Sequence, residues 1–330
     1  MEREWNSGEL LQISGGYWQA CALHAGVDLD IFTALAEKPL LAKMIAEEVG
    51  AEPRATEMLL HALTAMGLLD KRGEEFANTA AAGQYLSRKS DRYLGHIIRH
   101  HHHLMAGWAQ LPAAVRSGKP VRQGVVQADE ERRESFLLGM FNLASQLAPI
   151  LVPQIDIRGR NRLLDLGGGP GTYAIHFCRH NPQLQAVVYD LPTTRPFAEK
   201  TIARLGMADR ILFQDGDFLR DGVDGRFDVA WLSHILHGES PEGCARIIAR
   251  AVAALEPGGM ILIHEFILAD DMAGPLFPAL FSLNMLLATE SGQSYSGEQI
   301  TGMLKAAGVH DIRRLQLDLP GETGVIAGKI

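Results

Sequence analysis

From Asn161 to Leu268 the chain repeats one pattern, a short apolar run followed by a stretch of helix length. The runs are NRLLDLGGG, QLQAVVYDL, RILFQDGD, FDVAWLSHI and GMILIHEFIL. Strands alternating with helices in this way build a doubly wound parallel sheet, and few other folds accept the order. The C-terminus breaks it. HDIRRLQLD and TGVIAGKI are two strands joined by LPGE, which predicts an antiparallel hairpin on the sheet edge.

The first hundred residues read differently, as short helices. WQACALHAGVDLDIFTAL carries apolar residues at helical spacing and is expected to break at Gly26. LLAKMIAEEVG stops at Gly50, EPRATEMLLHALTAMG runs from Pro53 to Gly67, and LLDKRGEEFANTA gives two extended pieces around Gly73. Helices followed by a hairpin are the order of a winged helix. Its second and third helices offer only Lys43 and Arg54 as cations, too few for the clustered phosphate contacts of duplex binding. From Asp91 to Val152 the pattern is helical again, with a loop at SGKPVRQG. These changes of texture divide the chain into an N-terminal domain, 1–95, and a larger one, 96–330, with lead-in helices over 96–155 and the α/β core over 156–330.

The 330 residues are 47% apolar and 21% charged, which is the composition of a globular protein. A net charge of −8 disfavours nucleic acid and anionic membrane as main partners. The acidic start MEREWNSGEL lacks the signal-peptide pattern, and no uncharged apolar run of membrane-spanning length is expected. Three scattered cysteines, Cys21, Cys178 and Cys244, form no CxxC pair and fit a reducing cytoplasm.

In LLDLGGGPGTYA, Gly167, Gly169 and Gly171 fall where the first strand of the core yields to a helix, so the backbone can approach a ligand closely. Thr172 stands where a dinucleotide fingerprint wants its third glycine, which disfavours a nicotinamide cofactor. Asp190 ends the second strand, where a carboxylate can accept from both ribose hydroxyls. Asp217 and Phe218 end the third, an acid and an aromatic suited to the amine and the face of an adenine. Three such residues in order on one sheet edge point to an adenosine-bearing cofactor.

Taken together, LLDLGGGPGTYA, YDLP, GDF, ILHGESPEGC, LEPGGMILIHEFIL and SGQSYSGEQITGMLKAAG resemble the ordered motifs of the S-adenosylmethionine-dependent O-methyltransferases that include caffeate and hydroxyindole O-methyltransferases. The resemblance spans nearly the whole chain. It implies a class I methyltransferase sheet with an antiparallel C-terminal hairpin, plus an N-terminal all-helical, winged-helix-like dimerisation domain that meets its twin in a homodimer. It also implies S-adenosylmethionine as cofactor, contacted by Gly167, Gly169, Asp190, Leu191, Asp217, Phe218 and Ser233, and a small-molecule methyl acceptor.

Methyl transfer from a sulfonium needs the acceptor positioned in line and in its nucleophilic form. A phenol with a pKa near 10 is about three units from ionising at pH 7, roughly 4 kcal/mol of barrier, and a histidine is suited to take that proton. His237 lies beyond the fourth strand, just before a helix opened by Ser240 and Pro241, and it matches the family base in ILH. His234 is expected to be structural or a neighbour of the cofactor. Glu265, at the end of the fifth strand, can reach His237 as its orienter and matches a family glutamate. Two positions depart from the family: Gly238-Glu239 follow the histidine in place of Asp-Trp, and Ser294 stands at a second family glutamate.

His96, His100 and His103 share one helix face in RHHHHLMAGW and its lead-in, yet no acid or cysteine adjoins them, so no metal site is expected. His101, Met105 and Trp108 share another face, and the family's helices here wall an acceptor pocket. Phe281, Asn284 and Met285 share a face of PLFPALFSLNMLLATESG, with Asn284 the one polar group among them. These six residues suggest a flat, apolar, aromatic acceptor. Two other readings stay open: C-methylation or a reaction in which no methyl moves, and a ligand-sensing DNA-binding regulator.

Overall fold

The computed structural model describes residues 4–122, 130–320 and 322–330, and the chain divides into two units, Met1–Met105 and Ala106–Ile330. In the first, helices α1 (Ser7–Gly15), α2 (Tyr17–Asp28), α3 (Ile31–Ala34), α4 (Ala42–Val49), α5 (Pro53–Ala65) and α6 (Ala80–Tyr85) surround a small sheet. Its strands β1 (Leu40–Leu41), β2 (Leu69–Arg72) and β3 (Glu75–Asn78) lie in the order β1-β3-β2, all antiparallel. The β2–β3 hairpin is the one expected around Gly73, whose φ is +62°. The two-residue β1 had no signal of its own, so the domain is helical with a small sheet and not all-helical.

Gly26 does not break its helix. It lies buried inside α2, where an added Cβ would come within 3.0 Å of both Leu63 and Phe32, so the glycine is there for close packing. The break falls at Asp30, whose φ is +57°. Gly50 and Gly67, both at positive φ, end α4 and α5 as their sequence implied.

Helix α7 (Gly95–Trp108) leads into α8 (Leu111–Ser117) and α9 (Glu130–Leu151). The end of the loop expected at SGKPVRQG, Gln123 and Gly124, lies outside the described residues. Contrary to expectation, the helix Arg133–Gln154, at mean hydropathy 1.6, is long and apolar enough to cross a membrane. Ala148 and Leu151 on it are fully buried, in the same core as Phe177 and Trp231. That packing accounts for part of its apolar character, while Leu143 and Ile150 on the same helix stay exposed.

The core sheet has seven strands: β4 (Arg162–Leu166), β5 (Gln185–Asp190), β6 (Ile211–Asp215), β7 (Phe227–Ser233), β8 (Leu255–Glu265), β9 (His310–Arg314) and β10 (Gly324–Lys329). Their order is β6-β5-β4-β7-β8-β10-β9. β4 through β8 run parallel, and β10 pairs antiparallel with β8 and β9, which is the expected edge hairpin. Along β4 the side chains alternate between two cores. Leu163 joins Val188, Trp231 and Leu262 on one face, while Leu164 and Leu166 join Tyr189, Leu232 and Ile263 on the other. Helices α10 (Thr172–His180), α11 (Arg195–Arg204), α12 (Pro241–Ala253), α13 (Leu276–Ala288) and α14 (Gly297–Ala306) complete the unit. The chain leaves β4 toward β5 and β6, then returns to lay β7 on β4's other side. Open sheets of this kind bind ligands at such a reversal, beyond the carboxyl ends of the strands.

Candidate active site

Beyond β4 the chain makes a tight turn on three glycines at positive φ, Gly167 (+69°), Gly169 (+53°) and Gly171 (+78°). They serve different ends. A Cβ on Gly167 would lie 2.6 Å from Ile235 and 3.4 Å from Phe218, whereas one on Gly169 would meet nothing within 4 Å. The turn thus brings Gly167, Phe218 and Ile235 together and leaves open space over Gly169.

Asp190, at the end of β5, holds this turn. Its Oδ2 accepts from the Gly169 N–H at 2.8 Å, and Oδ1 accepts from the Leu191 N–H at 2.7 Å and the Thr194 hydroxyl at 3.1 Å. Burial raises its pKa, with these hydrogen bonds opposing. A carboxylate offers about four lone-pair sites. Three are taken, so Asp190 has room for one further strong donor and not for both ribose hydroxyls unless a protein donor yields. Asp217 and Phe218 lie just past the end of β6. Asp217 Oδ1 accepts from the Leu219 N–H at 2.9 Å, and its Oδ2 is 3.5 Å from Arg220 Nε.

Asp165, in the middle of LLDLG, carries a constraint the sequence reading did not use. It is 1% exposed, and one oxygen accepts from the Ala174 N–H at 3.2 Å. Burial pushes its carboxyl up to about 7, opposed by that hydrogen bond and helped by the charge of Asp190. An acid inside an apolar strand run was the signal available.

At the end of β7, Ser233 Oγ lies 2.9 Å from His264 Nδ1, and His264 Nε2 lies 2.8 Å from Thr323 Oγ1. Burial holds His264 well below its ordinary pKa, so it is neutral, stacked on Trp231 at 5.4 Å. The Thr323 hydroxyl donates to the Glu265 carbonyl, so it accepts from His264 Nε2–H. His264 Nδ1 therefore accepts from Ser233, whose proton is committed, and the buried Tyr173 hydroxyl is a second hydrogen-bonding neighbour of that serine. His264, unnoticed in the sequence, thus fixes Ser233. His234 follows at φ +56°, a conformation that turns the chain out of the strand. Its ring packs 4.2 Å from that of Phe266.

The turn delivers His237 beside Glu265. His237 Nδ1 and Glu265 Oε2 are 2.9 Å apart, while Oε1 accepts from the Leu236 N–H at 2.9 Å. The side chain of Glu265 is 3% exposed and that of His237 14%. Burial alone would raise the glutamate's pKa. The charge and hydrogen bond of His237, with His234 Nδ1 3.5 Å away, outweigh it and hold the group well below the usual carboxylate range. An ionised carboxylate only accepts, so the shared proton sits on Nδ1 and Nε2 is left as the acceptor. His234, His237 and Glu265 are also the one cluster of metal-ligand size among the described residues, with donor atoms within 4.8 Å of one another. The hydrogen bond accounts for that spacing without an ion.

Aromatic rings wall this dyad. Phe281 on α13 meets the His237 ring edge-on at 4.8 Å, and Phe266 and Phe277 each lie within 6 Å of Phe281. Phe266 and Phe277 were not singled out in the sequence, although Phe266 directly follows Glu265 in HEF. Gly292 lies against the His237 backbone, where an added Cβ would be 2.6 Å from its carbonyl oxygen. Ser294, at the position of the second family glutamate, turns away and donates to the Pro278 carbonyl at 2.8 Å. Asn284 is buried, as is Met285, and its side-chain oxygen accepts from Arg122 at 3.0 Å. His101 and Met105 lie on the part of α7 that belongs to the first unit, His101 exposed and Met105 half-buried. Trp108 ends that helix in the second unit, half-buried.

Two family models match the chain: an O-methyltransferase domain over residues 108–310 and an O-methyltransferase dimerisation domain over residues 11–88. The 3-hydroxy-5-methyl-1-naphthoate 3-O-methyltransferase of Streptomyces sahachiroi is 36% identical, covering 97% of this chain and 94% of that protein. The tetracenomycin polyketide synthesis 8-O-methyl transferase TcmO of Streptomyces glaucescens is 34% identical over 95% of this chain and 94% of its own. Among solved structures, PigF with SAH superposes with a TM-score of 0.91 at 27% identity, covering 99% of this chain and 100% of that one.

Proposed function

The chain belongs to the family of S-adenosylmethionine-dependent O-methyltransferases, and from that premise we propose that it methylates a hydroxyl of a small aromatic or polyketide-like acceptor, with His237 taking the proton and Glu265 holding His237. The observation that carries this reading is the 2.9 Å contact between His237 Nδ1 and Glu265 Oε2, which leaves Nε2 as the accepting nitrogen of the imidazole. When bound, S-adenosylmethionine would supply an electrophilic methyl on a sulfonium, whose S–C bond breaks to leave the neutral thioether S-adenosylhomocysteine. The fit of this cofactor rests on the open space over Gly169, the lone pair left on Asp190 and the ring of Phe218 beside Gly167.

The residues then divide the work. Gly167, Gly169, Asp190, Leu191, Asp217, Phe218 and Ser233 hold the cofactor, with Ser233 serving as an acceptor because its proton is bound to His264. Phe281, with Phe266 and Phe277, gives the acceptor an apolar face against His237 and excludes water from it. Met285 and Asn284 extend that wall, and Trp108 lies in the same unit on the acceptor side. The hydroxyl proton passes to Nε2 as the oxygen lone pair forms its bond to carbon, and the charge gained by the imidazole is offset by Glu265. A relative named for 3-O-methylation of a hydroxynaphthoate and another for 8-O-methyl transfer in tetracenomycin polyketide synthesis support the acceptor class.

The N-terminal unit serves as a winged-helix-like dimerisation domain in a homodimer. Its support is the matched dimerisation family and a row of exposed apolar side chains on and before α1 and α2, with Leu11 71%, Ile13 64% and Trp18 69% exposed. Three free cysteines, two of them buried, suit a reducing cytoplasm. The test is incubation with S-adenosylmethionine and a panel of phenols and hydroxynaphthoates, with products read by mass and by NMR. A methoxy carbon supports the reading. A methyl on ring carbon, or no product with any acceptor, contradicts it.

A further inference from the structure

Arg122 is a half-buried cation held against α13 that the mechanism above leaves unused. It follows α8 and is fixed on α13: its backbone N–H donates to the Leu287 carbonyl at 3.1 Å. Its Nη2 donates to the Asn284 carbonyl at 3.3 Å and to Asn284 Oδ1 at 3.0 Å. The aliphatic stem packs on Gly107, where an added Cβ would meet Arg122 Cδ at 2.9 Å. The guanidinium is thus half-buried and set in one place. Among the described residues no carboxylate lies within ion-pair distance of it, and its Nε is buried without a partner. Burial lowers its pKa, and the charged side chains just before it, Arg116 and Lys119, are basic too.

A guanidinium taken out of water with its charge unmatched is costly, and such groups are retained where an anion completes them. Asn284 sharpens the geometry. Because its oxygen faces the guanidinium, its amide nitrogen is the donor that remains, beside the N–H groups Arg122 has to spare. Asn284 lies one helical turn from Phe281, whose ring meets His237. Both are on the wall that the acceptor must cover.

We propose that Arg122, oriented by Asn284, binds a carboxylate carried by the methyl acceptor, so that the substrate is an aromatic hydroxy acid lying across α13 with its hydroxyl at His237 and its acid group at Arg122. This rests on the acceptor wall proposed above and adds a determinant of specificity to it. Arg122 is a binding residue with no part in the proton transfer.

The experiment measures binding to the protein loaded with S-adenosylhomocysteine, by calorimetry, for 3-hydroxy-1-naphthoate and for 2-naphthol, which lacks only the carboxylate. The parent protein binds the acid at least tenfold more tightly than the naphthol. In Arg122→Gln that ratio falls toward one, and in Arg122→Lys, which keeps the charge without the fork, an intermediate preference survives. Equal affinities in the parent, or a preference that persists in Arg122→Gln, overturns the proposal. If Arg122 only braces α13, both ligands weaken together and the ratio holds, which also overturns it. Turnover is read separately: an acid that is preferred but never methylated counts against the methyl-transfer reading and leaves the carboxylate site standing.

Discussion

Glu265 decides which nitrogen of His237 can work, so replacing its charge should cost more than its volume suggests. Glu265→Gln keeps an oxygen for the Leu236 N–H and turns an amide donor toward Nδ1. That stabilises the tautomer with the proton on Nε2, the wrong one for a base. A fall in kcat on the order of 10²-fold is expected, with the KM for S-adenosylmethionine little changed. Asp165 makes a second prediction, on stability. Its carboxyl is raised to about 7 in the fold from the ordinary 3.8. A raised acid stabilises the fold fully below its unfolded pKa, and that contribution is lost as pH climbs from about 4 through about 7, up to roughly 4 kcal/mol. Asp165→Asn cannot ionise and keeps an oxygen for Ala174. Its melting temperature relative to the parent should therefore rise between pH 5 and pH 8, and a difference independent of pH would refute the assignment. The approach of Glu265 to His237 was legible in the sequence because residue type and position past the ends of neighbouring strands together suffice for it; that Asp190 spends its oxygens on its own turn was not. The surroundings of Arg122 and His264 were not, because their partners Asn284 and Thr323 lie far along the chain.

At the scale of elements, the glycine turn offers a matched pair. Gly167→Ala sets a Cβ 2.6 Å from Ile235 at φ +69°, so it should destabilise the fold by about 1–3 kcal/mol and weaken the cofactor as well. Gly169→Ala meets no protein atom within 4 Å, so its cost to the free protein is only the backbone strain of about 1 kcal/mol. Its effect on S-adenosylhomocysteine affinity should be the larger of its two effects, and unchanged affinity would remove the cofactor from that turn. The five parallel strands were readable because each is a short apolar run closed by a turn, and two-sided burial leaves that mark on a sequence. Elements without a period of their own were not. β1 is two residues whose pairing with Phe76 and Glu75 is set by the hairpin. Gly26 resembled a helix stop and was a packing contact, a difference that only Leu63 and Phe32 reveal.

For the whole molecule, Leu11 and Ile13 on α1 and Trp18 on α2 leave large apolar side chains in water that a partner subunit would cover. Sedimentation should find a dimer at micromolar concentration, and Leu11→Ser with Trp18→Ser should shift it toward monomer. A parent protein that sediments as a monomer would contradict the homodimer. Salt-sensitive duplex binding is not expected from a chain of net charge −8. The account turns, however, on whether one imidazole removes the acceptor's proton. The direct measurement is kcat of His237→Ala with a phenolic acceptor, beside the melting shift that S-adenosylhomocysteine gives the same variant. A ligand at a hundred times its Kd adds about 2.7 kcal/mol, enough to certify an intact cofactor site. With that shift preserved, kcat should fall on the order of a hundredfold or more. A variant that binds the cofactor normally and turns over within a few fold of the parent would contradict the base assigned to His237.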